Sequence, residues 1–429
     1  MEPSAEHPTL RLEVLAEMAD GGATVHLLAR LVADAAAGGE RPPVNLALVI
    51  DRSSSMRGPR FAQAIRAAVQ VVDRLDARDR LTVLAFDGSV RPVFGPERVT
   101  PEAAAELTRA LGELDTGVGT NLGAAIKAGA ERIRAGYVRG GLTRLVLLTD
   151  GQPSVGITDG ERLCSLVEGE WKSGVPLTAM GIGEGFEDEL LAEMARRGRG
   201  GFHYLASPAD IPAAFGLELA GLFAIAATQA ELKLVPHEHV TALDLMHRLP
   251  SRAVDDGLVV EVGEVAAGAP RLVLFRLSRD PDSEPRHLVT ARMTYRTPDG
   301  RAGDGAIVGV ELPRLPQGEA AREVALERFR LAVAGAVDQA WARRAAGDRD
   351  RALAGLREVE ARLASARAQG SLPEAEIDAL LADLTAAGEA VQRSAAEREK
   401  IRRRLRERSQ VTLLGQSTIA RLPPLRDED

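Results

Sequence analysis

With a single cysteine, Cys164, in 429 residues, the chain can form no internal disulfide. A lone thiol of this kind reads as a small buried hydrophobe in a reducing compartment. Aromatic residues are scarce at 3%, too few to build rows of base-stacking platforms. An excess of positive charge is also missing. The net charge is −8, which excludes a general affinity for nucleic acid or anionic membrane, because both need a basic footprint. No long apolar run occurs either. The longest candidate, "LAGLFAIAA" at 219–227, is about half of what a membrane span requires. The opening "MEPSAEHPTL" lacks the basic start and apolar stretch of a secretory signal. The expectation is a cytoplasmic protein with no membrane span. Phosphate-binding glycine loops are absent as well. No Gly-x-x-x-x-Gly-Lys occurs, and "GVGTNL" and "GIGEGF" place Leu122 and Phe186 where a dinucleotide fingerprint needs its third glycine.

What is present is a globular balance, 45% hydrophobic and 27% charged, over a length that implies two to four domains. Within residues 1–39 the stretch 9–34 alternates apolar and polar on both sides of "DGG", which predicts a β-hairpin. "AAAGGERPP" then reads as a linker. From Val44 short apolar runs at 44–50, 81–86, 144–149, 175–181 and 202–205 alternate with amphipathic stretches at 60–77, 101–113, 122–136, 160–173, 187–197 and 208–225. That alternation predicts an α/β domain over 40–227, with a doubly wound, mostly parallel sheet. Residues 228–317 return to strand-like alternation, as in "GLVVEVGEV" and "HLVTARMTYRT", and predict an antiparallel β-sandwich. Two hairpin strands cannot stand alone, so residues 1–39 are expected to join the sandwich, with the α/β domain inserted between its two pieces. Residues 318–410 predict a helical bundle or hairpin. Leu326, Phe329, Leu331, Val333, Val337 and Trp341 mark its first stripe, and Ser371 with Glu374 forms a capping box around Pro373. The tail, 411–429, is expected to be disordered.

The chemistry concentrates where apolar runs end. "LALVIDRSSSMRG" closes a hydrophobic strand with Asp51, Ser53 and Ser55, and "RLVLLTDG" closes another with Asp150. Between them "TGVGTNLG" sets Thr120 in a glycine-rich turn just before a helix. In open α/β sheets, ligands bind outside the carboxyl ends of the strands, at the switch in strand order. Two carboxylates and three hydroxyls meeting there form an all-oxygen set with no imidazole or thiolate. Such a set selects Mg²⁺, with Mn²⁺ or Ca²⁺ as alternatives, over zinc or copper. Hydroxyl ligands leave the ion's charge under-neutralised, so it should attract a carboxylate from a protein partner that presents Asp or Glu. Asp51→Ala is expected to fold normally and lose that partner.

"DRSSS", "GTNL" and "LLTDG", in this order, resemble the metal-ion-dependent adhesion site of the von Willebrand factor type A (VWA) family. The family's usual glycine between the two serines is Ser54 here. The resemblance covers about residues 40–225. It implies Ser53 and Ser55 as direct metal ligands, Thr120 as a direct or water-mediated one, and Asp51 and Asp150 acting through water. It further implies a non-enzymatic adaptor, of the intracellular bacterial type, working beside an AAA+ ATPase or a kinase/phosphatase system. The flanking regions resemble the layout of bacterial inter-α-trypsin-inhibitor-like members. The competing reading is a metal-dependent hydrolase using the same residues, which requires a general base within reach. No third acid in the sequence fills that role. "HEH" at 237–239 and His203 read as surface or packing residues without a third ligand, and "EREKIRRRLRER" reads as a solvated helical face.

Overall fold

The computed structural model describes residues 10–19, 23–34, 41–183, 188–279, 287–303, 305–310, 318–392, 401–402, 405, 407–409 and 411–415. The linker at 35–40, the start of the basic run at 397–400 and the end of the tail at 416–429 lie outside the described residues. The chain divides into two compact units. One is the continuous stretch Glu40–Phe223, and the other joins Met1–Gly39 to Ala224–Asp429.

The second unit begins with β1 (Leu10–Ala19) and β2 (Thr24–Ala33), an antiparallel hairpin. The chain then enters the α/β unit through β3 (Val44–Asp51), whose eight residues are all buried. Helix α1 (Pro59–Val72) follows, with proline in its first turn, where a missing N–H costs nothing. Strand β4 (Arg80–Phe86) is parallel to β3, and β5 (Val90–Arg98) turns back antiparallel to β4. Helices α2 (Pro101–Gly112) and α3 (Leu122–Ala135) lead to β6 (Leu142–Thr149), parallel to β3 on its other side. Helix α4 (Gly160–Lys172), β7 (Leu177–Ile182), α5 (Asp188–Arg197), β8 (Arg199–Leu205) and α6 (Ile211–Phe223) complete the unit.

The sheet order is β5-β4-β3-β6-β7-β8. From β3 the chain moves to β4 on one side, and from β6 it moves to β7 on the other. The switch point is therefore the cleft between the carboxyl ends of β3 and β6. Successive strand residues face opposite ways. Ala47, Val49, Leu145 and Leu147 pack against Leu122, Ile126 and Ile133 of α3 and Leu163 and Val167 of α4. The parallel sheet was anticipated, but β5 was not. Pro92, Gly95 and Pro96 break its alternation, and prolines in a sheet belong on an edge strand.

The chain returns to the other unit with β9 (Ile225–Pro236), followed by β10 (Val240–Leu245), β11 (Ser251–Val254), β12 (Gly257–Ala266), β13 (Arg271–Arg279), β14 (Val289–Arg296) and β15 (Ala306–Val310). Two antiparallel sheets form, β1-β2-β13-β10 and β11-β12-β9-β14-β15. The hairpin joins the later strands through β2, paired to β13 from Thr24↔Ser278 to Leu31↔Arg271. Leu27, Leu31, Leu232, Val260, Phe275 and Met293 fill the core between the sheets. Helices α7 (Glu319–Ala345), α8 (Arg349–Ala368) and α9 (Glu374–Gln392) form the bundle. Phe329, Val333, Val337 and Trp341 of α7 face α8 and α9. Val324, Leu331 and Ala334 face the sandwich instead, against Leu28, Leu272 and Leu274.

The tail departs from its expected disorder at its start. Leu413 is buried in that second cluster, its carbonyl accepts from Arg248 N–H at 2.7 Å, and Leu272 N–H donates to Gly415 O at 2.9 Å. An apolar side chain and two backbone acceptors dock 411–415 where composition alone suggested a free end.

Candidate metal centre

Strand β3 delivers Asp51 to the switch cleft, and the turn after it delivers Ser53 and Ser55. Asp51 is fully buried. Its Oδ1 accepts from Ser53 N–H at 2.7 Å, and its Oδ2 accepts from the Thr149 hydroxyl at 2.6 Å. Thr149 closes β6, in the register that sets Ile50 opposite Leu148. Burial raises the Asp51 carboxyl to about 6, against the opposing effect of the hydrogen bonds from Thr149 and Ser53; nearby Asp150 pushes it further up. Asp51 is therefore no solvent-reaching side chain. Its removal strips the acceptor from two buried donors, which argues against the expectation that Asp51→Ala folds normally.

Asp150 follows β6 and is 2% exposed. Its Oδ1 accepts from Ser55 Oγ at 2.7 Å, while its Oδ2 meets Arg60 Nη1 of α1 at 2.6 Å. Ser53 Oγ and Ser55 Oγ lie 2.9 Å apart. Thr120 arrives from the glycine-rich loop before α3. Its N–H donates to Ser154 Oγ at 2.9 Å, and its carbonyl accepts from Ser154 N–H at 3.0 Å, tying the Thr120 loop to the one after Asp150. Asn121 caps α3 by accepting from Ala124 N–H at 3.1 Å.

Two glycines let this loop come so close. A Cβ on Gly117 would stand 1.9 Å from Asp87 Oδ2, and Gly119 holds φ at +82°. A side chain fits neither position without moving the loop. The convergence is visible at Gly151. A Cβ built there would lie 3.4 Å from Thr120 Oγ1, 3.8 Å from Ser55 Oγ and 3.9 Å from Asp51 Oδ2. Three oxygens from two segments thus face one point on a third, and all five residues anticipated from the sequence come together at the cleft.

The donor set can be tested against an ion. Neighbouring ligands of an octahedral Mg²⁺, each about 2.1 Å from it, stand about 3 Å apart. The Ser53–Ser55 and Ser55–Asp150 oxygen spacings of 2.9 and 2.7 Å fall at that edge length. These are also ordinary hydrogen-bond lengths, so it is the all-oxygen donor set that suits a hard divalent cation, with spacings an octahedral site can accept.

Three further residues belong to the site and were not among the five anticipated. Thr149 orients Asp51, and Arg60 engages Asp150. Asp87 follows β4, where Arg52 Nη2 meets its Oδ2 at 2.6 Å and Ser89 donates to its Oδ1 through both N–H and hydroxyl, each at 2.8 Å. These bonds and Arg52 outweigh burial and hold the Asp87 carboxyl below its ordinary range. It braces the Thr120 loop through its carbonyl, which accepts from Asn121 N–H at 2.8 Å. "AFDG", an apolar strand ending in Asp-Gly like "LLTDG", was the available signal for Asp87.

The histidines lie elsewhere. His237 follows β9, with Nε2 3.2 Å from Thr290 Oγ1, and His203 Nε2 is 3.2 Å from Glu218 Oε2. Among the described residues no group of three or more His, Cys, Asp or Glu converges as a metal cage.

The family model of the von Willebrand factor type A domain matches residues 45–215. This stretch is a VWA domain. The VWA stretch holds all five oxygen-bearing residues. The chain is 26% identical over 282 residues to sll0103 of Synechocystis and 24% identical over 245 residues to YfbK of Escherichia coli. These matches cover 64% and 56% of the chain, and they span 66% and 42% of the two relatives. The solved VWA protein of Catenulispora acidiphila superposes with a TM-score of 0.69 at 17% identity, over 98% of this chain and 99% of that one. That likeness is one of fold, and it takes in the sandwich and the helical region beside the VWA domain. No helix among the described residues is long and apolar enough to cross a membrane.

Proposed function

We propose that the VWA domain is a divalent-cation-dependent interaction module, a non-enzymatic adaptor that binds an acidic side chain of a protein partner. The observation that carries this reading is the meeting of Ser53, Ser55 and Thr120 hydroxyls with two buried carboxylates at the mouth of the sheet. Asp51, Ser53, Ser55, Thr120 and Asp150 would hold the cation, Mg²⁺ in the first instance. When bound, it supplies a Lewis-acidic site for an oxygen ligand.

The chain's own residues argue for binding over hydrolysis. A water-activating site needs a base that can accept a proton. The third carboxylate nearby, Asp87, is spent on Arg52 and Ser89. Asp51 and Asp150 are each engaged by two donors. The partner's carboxylate would replace water on the ion and regain in charge pairing what it loses in desolvation. VWA domains serve as interaction modules in many proteins, which supports this reading. An AAA+ ATPase or a kinase/phosphatase system stands as the proposed class of partner.

Mg²⁺ or Mn²⁺ titration of the full chain by calorimetry tests the metal. Capture from a lysate in Mg²⁺ and in EDTA, with wild type beside Ser55→Ala, tests the partner. A partner retained equally by both proteins in EDTA rules out the carboxylate bridge.

A further inference from the structure

Arg60 is the one cation whose guanidinium sits on a carboxylate of the five-residue set among the described ion pairs, and its placement is built by three segments of chain. It stands in the first turn of α1, where the helix dipole disfavours positive charge. Helix preference therefore does not explain it. Its Nη1 lies 2.6 Å from Asp150 Oδ2 and donates to the Ser55 carbonyl at 3.3 Å. Gly183, the residue after β7, approaches it as well. A Cβ on Gly183 would stand 2.7 Å from Arg60 Nη2, and Gly183 holds φ at +80°. The guanidinium fills a slot between Asp150, the Ser55 carbonyl and a glycine.

A charge count follows. Asp51 and Asp150 bring −2 and Arg60 brings +1, while Arg52 and Asp87 cancel as a pair 2.6 Å apart. The metal-free site therefore carries −1, and with a divalent cation it carries +1. Without Arg60 the loaded site would be neutral overall and would offer a carboxylate less net positive charge.

We propose that Arg60 is a resident counter-cation of this site. It neutralises Asp150 in the metal-free protein, weakens the hold on a divalent cation, and leaves the loaded site with one positive charge in excess for a partner's carboxylate. This rests on the metal reading above, and it assigns to one arginine a trade between two affinities.

The test uses the full chain and Mn²⁺, with acetate as the carboxylate probe. Arg60→Gln should bind Mn²⁺ about tenfold tighter than wild type by calorimetry, because one like charge has left the ion's surroundings. In EDTA it should melt below wild type, and saturating Mn²⁺ should close the gap. Acetate binding to the Mn²⁺-loaded protein, followed by water-proton relaxation, should weaken in the variant. A merely structural role would not move the two affinities in opposite directions. If Arg60→Gln does not fold without metal, Gly183→Ala carries the test: its methyl group strains the backbone at φ +80° and would stand 2.7 Å from Arg60 Nη2, so the guanidinium must shift, and the loosened hold on Asp150 should also tighten Mn²⁺. Mn²⁺ bound no more tightly by either variant than by wild type overturns the role of Arg60 alone. Mn²⁺ binding to none of the proteins overturns the metal reading and this inference with it.

Discussion

The five residues of the cleft are not equivalent under substitution, and burial separates them. Asp51 is fully buried and serves two donors, whereas Ser55 is exposed and offers one hydroxyl. Ser55→Ala should therefore cost about 1–2 kcal/mol in stability, the scale of a partly exposed hydrogen bond to a carboxylate. It should still weaken Mg²⁺ binding at least tenfold, because a proposed ligand oxygen is gone. Melting curves with and without Mg²⁺ check both outcomes together. A variant whose melting temperature still rises with Mg²⁺ as much as wild type would remove Ser55 from the site. The ligand candidates were legible because each hydroxyl or carboxylate sits next to an apolar strand or a glycine turn. Their supports were not legible. Thr149 and Arg60 are ordinary in sequence and acquire meaning from partners 98 and 90 residues away.

At the scale of elements, α7 has two apolar faces. Phe329, Val333 and Val337 serve the bundle, and Val324, Leu331 and Ala334 serve the sandwich. A stripe that includes both Leu331 and Val333 cannot face one way, since residues two apart on a helix diverge. Leu331→Ala leaves a cavity against Leu28, Leu272 and Leu274 and should cost about 2–4 kcal/mol by urea unfolding. An equal loss from an exposed α7 residue would make this packing unremarkable. Helix α9 carries a pH signature. Burial pushes the Asp383 carboxyl up to about 6, and Arg408, 2.9 Å away, opposes this only in part. A folded pKa above the unfolded value contributes stability that is full below about 4 and lost as pH rises through about 6. Wild type should thus lose of order 1 kcal/mol relative to Asp383→Asn between those pH values. Parallel pH slopes for the two proteins would show that Asp383 titrates normally.

At the scale of the molecule, the α/β unit is one continuous stretch, Glu40–Phe223, while the other unit is assembled from both sides of it. The α/β unit has its own core and contains the whole cleft. Residues 40–223 alone should give a cooperative melt and bind Mg²⁺ within about threefold of the full chain, since every proposed ligand lies inside the stretch. A tenfold or greater loss would mean that the second unit shapes the site. The second unit should behave oppositely under truncation. Deleting residues 411–429 removes buried Leu413 and the carbonyls that serve Arg248 and Leu272. The variant should lose about 2 kcal/mol or more, on the scale of a buried leucine with its backbone bonds.

Read alone, the residues determined the alternation that makes a parallel sheet, the oxygen-only donors at strand ends, and the antiparallel and helical character of the flanks. All of these follow from local periods and from side-chain chemistry carried by consecutive residues. Tertiary structure decided what no local period encodes. It placed β5 as a proline-bearing edge, turned α7 toward two cores at once, docked the first residues of the tail, buried Asp51 between strand ends and set Arg60 against Asp150. Each of these depends on which distant segment supplies the partner: an acceptor, an apolar surface or a countercharge. That pairing is settled only when the strands take their order and bring the two aspartates to one cleft.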